Sequence, residues 1–260
     1  MRKFHAIFKF LVFVFVGIIG PLDSRFRSFL KLRKLNPREK YQWATLWAAV
    51  LRWNFGIRVH NYGGNINPDA QLLVSNHLGY LDIISFLKLC PMNFVSKSDV
   101  EEWPLVGWLA DCAGTLFLNR EKKSDIPKVL NSFNQVLESR SRVIFFPEGT
   151  SSGGSSVLPF HSSLFHIAAK NEWVIQTLAI KFTIPKKCEG SASERVCYWG
   201  DMEFVDHFKQ MILLPRIDCH IYINESVYSG KNRKVLAADL NMVVSKNLDN
   251  LKSLIYESTE

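Results

Sequence analysis

The front of this chain has almost no acidic residues. Asp23 and Glu39 are the only two in the first 60 positions, against twelve Lys or Arg, a local charge of +10. The other 200 residues carry 20 basic and 22 acidic groups, so the whole basic excess belongs to the N-terminal quarter. Cysteine is sparse and unpatterned: Cys90, Cys112, Cys188, Cys197 and Cys219 form no Cys-x-x-Cys pair and are odd in number. That excludes a disulfide framework and reads as reduced core thiols in a cytosol-facing protein. No His-Glu-x-x-His run or Cys/His cluster occurs, so no metal is expected. No internal repeat and no nucleic-acid motif is visible, and nucleic acid is not an expected partner.

What the front does contain is apolar. Phe10 to Gly20 is an uncharged run of eleven, preceded by Phe4, Ile7 and Phe8 around Lys9. A bilayer span needs about 20 such residues, so the run is short. A signal peptide would also have a basic flank and an apolar centre. However, Gly17-Ile18-Ile19-Gly20-Pro21 is a poor small-x-small cleavage site, and a dense cationic block follows. Cations beyond the run favour the side facing anionic lipid. Further on, Trp43, Trp47, Val50 and Leu51 recur at helical spacing, with Tyr41 and Trp53 nearby. Tryptophan flanked by Arg and Lys marks a helix at the lipid headgroup level. Residues 1–55 are thus expected to form a membrane-associated helical segment that is not needed for the chemistry of residues 56–260.

From residue 57 the pattern alternates short β-like runs with amphipathic stretches. Strands are predicted at 57–60, 72–75, 93–96, 115–118, 142–146, 174–180, 195–199 and 218–224. Ile126, Val129, Leu130, Phe133, Val136 and Leu137 form one helical face, and 203–213 and 235–255 read as further helices. Alternation at this spacing predicts an α/β domain with a mostly parallel mixed sheet flanked by helices. Chemistry in such sheets collects at the carboxyl ends of strands.

Four blocks end predicted strands there. After Leu72–Val74 come Ser75 and Asn76, turn or capping candidates, then His77-Leu-Gly-Tyr-Leu-Asp82. A histidine oriented by a carboxylate is half of a hydroxyl-activating site. Five residues along a helix place two side chains about 140° apart. The pair can meet only if His77 sits in a turn and Asp82 reaches back from the helix that follows. Gly114–Arg120 closes a strand with a cation, Asn93–Lys97 with a lysine, and Phe145-Phe-Pro-Glu-Gly-Thr-Ser151 with a carboxylate and a glycine turn. The one low-complexity stretch, Ser151–Ser156, follows directly.

In this order the blocks resemble the glycerolipid acyltransferase family, best known through the lysophosphatidic acid acyltransferases. His77 to Asp82 matches its first block, Gly114–Arg120 its second and Phe146-Pro-Glu-Gly-Thr150 its third. Val174–Ile180 is similar to the fourth, without its usual central proline. The resemblance covers roughly residues 57–225. It implies that His77 deprotonates a lysophospholipid hydroxyl such as that of 1-acylglycerol-3-phosphate, with Asp82 orienting the imidazole. The hydroxyl would attack an acyl thioester on coenzyme A or acyl carrier protein, a cosubstrate rather than a cofactor. Lys97 and Arg120 would hold the acceptor's phosphate, and Glu148, Gly149 and Thr150 would complete the acceptor site. The enzyme would work in phospholipid biosynthesis, on membrane lipids, with its catalytic domain on the cytoplasmic side. Ser151 stands where the family often has Arg, and a common lysine near His161-Ser162 is missing, which opens a lyso-ornithine lipid or another lysolipid as acceptor. Tyr198-Trp-Gly-Asp201-Met, followed by His207, also resembles the ornithine-lipid branch. A hydrolase is the other reading: Gly149-Thr-Ser-Ser-Gly153 formally fits a nucleophile elbow at Ser151, with Asp201 or Asp218 and His220 downstream. The Gly-Gly-Ser-Ser and Pro159 that follow oppose the helix such an elbow requires.

Overall fold

The computed structural model describes residues 2–102, 106–118 and 126–257. Among them, two long helices come first, α1 (Arg2–Leu30) and α2 (Pro37–Phe55). The strands are β1 (Ile57–Gly63), β2 (Leu72–Val74), β3 (Met92–Lys97), β4 (Leu116–Leu118), β5 (Arg142–Phe145), β6 (Ile175–Thr183) and β7 (Ile217–Tyr228). The remaining helices are α3 (Leu81–Phe86), α4 (Val106–Cys112), α5 (Ile126–Glu138), α6 (Phe165–Asn171), α7 (Ala192–Arg195), α8 (Phe204–Ile212) and α9 (Arg233–Glu257). The strands form one sheet in the order β1-β7-β6-β2-β5-β3-β4. Only β6 and β7 pair antiparallel, so the sheet is mixed and mostly parallel, as the alternation predicts. Helices cover both faces. Leu73, Ile144 and Ile180 point into one apolar cluster, while Leu72, Val143 and Phe145 point into the other. The central strands are therefore buried on both sides, as parallel strands must be.

Residues 195–199 are not a strand. Ser191 and Glu194 form a capping box, each side chain meeting the other's backbone N–H, and start α7 instead. The apolar pair Val196 and Cys197 is buried in the irregular segment that follows, which explains the misleading pattern.

Two findings change the picture of the N-terminal segment. First, α1 does not stop at the apolar run. It continues through Pro21 for 29 residues, roughly 43 Å, so by length and composition it could cross a membrane. Second, the Trp43 face of α2 turns inward rather than toward lipid headgroups. Asn36 and Glu39 make a capping box at its start, Gly56 at φ 69° ends it, and Trp43, Ala44, Ala48, Leu51 and Phe55 are buried. Trp43 Nε1 donates to the Gly20 carbonyl at 3.1 Å, pinning α1 to α2. Lys9, itself buried, donates to the Leu214 carbonyl at 2.7 Å. Val16, Trp43 and Leu51 share one apolar cluster with Ile180 and Ile217 of the sheet. The expected boundary at residue 55 falls between α2 and β1, but the core runs across it.

Candidate active site

The site is built at the end of β2. Asn76 bonds both backbone groups of Ile180 on β6, accepting at 2.8 Å and donating at 3.0 Å. The chain is thereby pinned as it leaves the sheet. His77 follows, and its own backbone is held twice. Its N–H donates to Glu148 Oε1 at 2.9 Å, and its carbonyl accepts from Ser152 N at 2.9 Å. Leu78 O accepts from Tyr198 N at 2.8 Å. Gly79 then adopts φ 140°, with Tyr198 N only 2.9 Å from where a Cβ would sit, so only glycine fits. The turn delivers Asp82 into the first turn of α3, reaching back as the spacing requires.

His77 Nδ1 lies 2.7 Å from Asp82 Oδ2. The same oxygen accepts from Leu78 N at 2.7 Å and Gly79 N at 3.2 Å. Asp82 is fully buried; these three donors offset the loss of water at Oδ2, while Oδ1 is buried without a partner among the described residues. Because Oδ2 accepts the Leu78 and Gly79 amides, the neutral imidazole has its hydrogen on Nδ1 and its lone pair on Nε2. The imidazole side chain is 24% exposed and lies flat on Phe146, with centroids 4.2 Å apart and planes at 13°. Orientation, tautomer and access all suit a general base acting through Nε2.

Glu148 occupies a different place from the one expected. It is buried, and both oxygens accept backbone N–H groups, from His77 and from Leu158 at 3.2 Å. It braces the catalytic turn through the His77 N–H. Burial pushes its carboxyl up to about 7 against the downward pull of those two amides. Gly149 makes the expected turn at φ 74°, and Thr150 after it is exposed. Lys97 is exposed at the carboxyl end of β3, in register with Leu118 of β4. Arg120 lies outside the described residues.

The nucleophile elbow is absent. Ser151 Oγ donates to the Tyr198 carbonyl, and no helix follows it before α6. His220 is engaged elsewhere, by Tyr62 at 3.0 Å and Thr183 at 2.9 Å, and Asp218 by His60 and Arg216. Sequence reasoning missed the parts that position His77 rather than the dyad itself. The sequence offers Phe146 only as the neighbour of a carboxylate two residues later, and Asn76 only as a turn or capping candidate. Tyr80, whose hydroxyl meets His207 Nδ1 at 3.1 Å, gave no signal beyond lying between His77 and Asp82.

Fold and site together define an α/β protein with a buried carboxylate behind a histidine poised to activate a hydroxyl. A family model described as Acyltransferase matches residues 56–181. The chain is 35% identical to the lyso-ornithine lipid O-acyltransferase of Rhodobacter capsulatus, covering 65% of this chain and 59% of that one. Identity to the protein of the same name from Pseudomonas aeruginosa is 31%, over 73% of this chain and 71% of that one. The 1-acyl-sn-glycerol-3-phosphate acyltransferase of Neisseria gonorrhoeae is 31% identical over 45% of this chain and 46% of its own. The crystal structure of the 1-acyl-sn-glycerophosphate acyltransferase from Thermotoga maritima superposes with a TM-score of 0.66 at 20% identity, over 97% and 98% of the two chains, and has the same fold. The chain belongs to the acyltransferase family.

Proposed function

We propose that the protein transfers a fatty acyl group from coenzyme A or acyl carrier protein to the hydroxyl of a lysolipid. The observation that carries this is the His77–Asp82 contact, in which Nδ1 is tied to a buried carboxylate and Nε2 is left for the acceptor's proton. Attack of the oxygen on the thioester carbonyl gives a tetrahedral intermediate, which expels the thiolate and leaves the ester. The imidazolium returns its proton to that thiolate. An apolar cavity of about 140 Å³ supports the lipid assignment. Its wall starts at Tyr80 and Leu81, inside the catalytic turn, and continues to Trp47 and Leu51 of α2 and Phe13 and Val16 of α1. An acyl chain laid there would run from the reacting carbon toward the N-terminal helices.

Two acceptors fit this chemistry. 1-Acylglycerol-3-phosphate needs cations, which Lys97 and Arg120 would supply. Lyso-ornithine lipid is favoured by Ser151, which replaces a cation and turns its hydroxyl onto Tyr198, and by the names of several relatives. Purified protein in detergent, given both lysolipids and both donors, decides between them by mass spectrometry of the product. Lysolipid consumed without any acylated product would defeat the proposal. We further place the domain on the cytoplasmic face, where both donors are made.

The exposed side of α1 supports membrane association. Phe4, Phe8, Leu11, Phe15, Ile18, Leu22, Phe26 and Phe29 are exposed and recur every three or four residues, one continuous apolar stripe. The opposite side, at Lys9, Val16, Gly20 and Ser24, is buried on the domain. A helix with one face on protein and one face apolar lies half-embedded in an interface rather than across it.

A further inference from the structure

Beside the catalytic turn lies a second cavity, of about 400 Å³, that the acyl-transfer reading has not used. Its walls are the Ser151–Ser156 loop, the end of β6 and the start of α7. Lys181 reaches into it from β6 with its side chain half-buried. Among the described residues no carboxylate pairs with it, and its one hydrogen bond is a long 3.4 Å contact to the Gly154 carbonyl. Ser155 and Ser193 line the same space, as do Thr183, whose hydroxyl meets His220, and Ser191, which caps α7 through Glu194. Lys252, paired with Asp249 at 2.7 Å, donates to the carbonyl of the lining residue Ser155 at 3.0 Å. A half-buried ammonium without a counter-charge is costly, and hydroxyls around it are the ordinary company of an oxyanion. Burial and the nearby Lys252 both lower the affinity of Lys181 for its proton, as expected of a cation lacking its anion.

The cavity also sits close to the chemistry. Gly154, at φ 73°, packs on Leu78, and a Cβ there would come within 2.9 Å of the Leu78 side chain. A Cβ on Gly153 would fall 2.4 Å from Ser193 Oγ. Leu78 of the catalytic turn itself lines the cavity beside the two glycines. Cys197, also lining the cavity, is within electrostatic reach of both Asp82 and Lys181. In the sheet, β6 flanks β2 on one side, whereas β5, β3 and β4 lie on the other. Lys97, the one described residue of the acceptor's two expected cations, ends β3 and so lies on that far flank. A transfer between two substrates at His77 leaves the β6 flank for the donor.

We propose that the Lys181 cavity binds a phosphate of the acyl carrier, the group that coenzyme A and the phosphopantetheine arm of acyl carrier protein share. This rests on the acyl-transfer reading, and on the acceptor role expected of Lys97, for which substrate brings the anion. The test uses the full-length protein in detergent, as wild type, Lys181→Gln, Lys181→Arg and Lys252→Gln. Equilibrium binding of coenzyme A and of 4′-phosphopantetheine is measured alongside donor and acceptor KM. Lys181→Gln should weaken binding of both compounds and raise the donor KM by roughly tenfold or more, with acceptor KM unchanged. Lys181→Arg should stay near wild type, and Lys252→Gln should show a smaller loss in the same direction. If Lys181→Gln proves unfolded by its melting curve, a null result with Lys252→Gln overturns the proposal. Unchanged coenzyme A and phosphopantetheine affinity in folded Lys181→Gln, or a rise in acceptor KM alone, also overturns it. A wild type that binds coenzyme A through Lys181 yet transfers no acyl group would sink the functional reading and leave the site standing.

Discussion

Replacing Asp82 by Asn tests the mechanism more sharply than removing His77, because the geometry dictates where the new amide must sit. Two backbone N–H groups, of Leu78 and Gly79, point at Oδ2. An amide nitrogen there would face both donors, so the Asn oxygen must take that position. Nδ1–H of His77 then still finds an acceptor, and the tautomer survives. What disappears is the charge that stabilises the imidazolium when Nε2 takes the proton. With the charges about 4 Å apart and an effective dielectric near 20, that is about 4 kcal/mol, or roughly a thousandfold in rate. Some charge remains screened or replaced by water, so kcat should fall by about a hundredfold to a thousandfold. KM for both substrates should change little, since Asp82 is fully buried and touches neither. The assay is single-turnover transfer of a labelled acyl group to the lysolipid, with circular dichroism to confirm folding. A folded Asp82→Asn enzyme within tenfold of wild type would refute the claim that His77 gains a full positive charge in the reaction. His77→Ala should lose about 10²–10⁴ under the same conditions.

Two other consequences concern the loop that follows β5. The native state binds the Glu148 proton more tightly than an exposed carboxyl does, with its pKa at about 7 rather than 4.5. Stability is therefore lost as pH rises through that window, on the order of 3 kcal/mol. Glu148→Gln removes this dependence, so wild type should lose melting temperature relative to the variant between pH 5 and pH 8, and parallel melting curves would contradict the burial argument. Ser151→Ala should keep most of its turnover, because that hydroxyl only meets the Tyr198 carbonyl; complete inactivation of a folded variant would revive the hydrolase.

Much of this site was legible because its chemistry is local. His77 and Asp82 are five apart, and one turn after one strand is enough to join them. The sheet was legible for a related reason: Leu72–Val74 and Val143–Phe145 are apolar at every position, which only strands buried on both faces tolerate. Long-range support was not legible. Nothing near Asn76 announces its two bonds to Ile180, more than a hundred residues later, nor the approach of Tyr198 to Leu78 and Gly79. The bracing by Glu148 was not legible either, because a carboxylate beside a glycine turn looks the same in sequence whatever it holds. Trp43 of α2 misled for a similar reason, although Trp53 on the same helix is exposed. Periodicity reveals that a face is apolar, and only the partner, here α1 and the sheet, reveals whether protein or lipid covers it.

That distinction alters how membrane binding must be tested. A chain shortened to begin at Gly56 would seem the natural soluble enzyme if residues 1–55 were a mere anchor. It would instead strip Trp43, Ala48, Leu51 and Phe55 from the core they share with Ile180 and Ile217, and it should not fold. Substitutions on the outer stripe of α1 avoid this. Phe8, Leu11 and Phe15 are 46%, 59% and 56% exposed, so changing them to Ser spares the core and costs at most the edge contact of Phe8 with Trp53. Each would bury the remaining half of its surface in lipid, worth roughly 1 kcal/mol apiece. Losing all three should weaken vesicle binding by about a hundredfold. The cations that follow contribute about 1 kcal/mol each near an anionic surface, but salt screens them. Wild type should therefore pellet with phosphatidylglycerol vesicles at low salt and remain partly bound at high salt. The triple variant should bind at low salt, detach at high salt, melt like wild type, and still acylate a short-chain soluble lysolipid. If it stays on the vesicles at high salt as wild type does, the lipid contact lies elsewhere on the molecule, and the exposed stripe of α1 needs another partner.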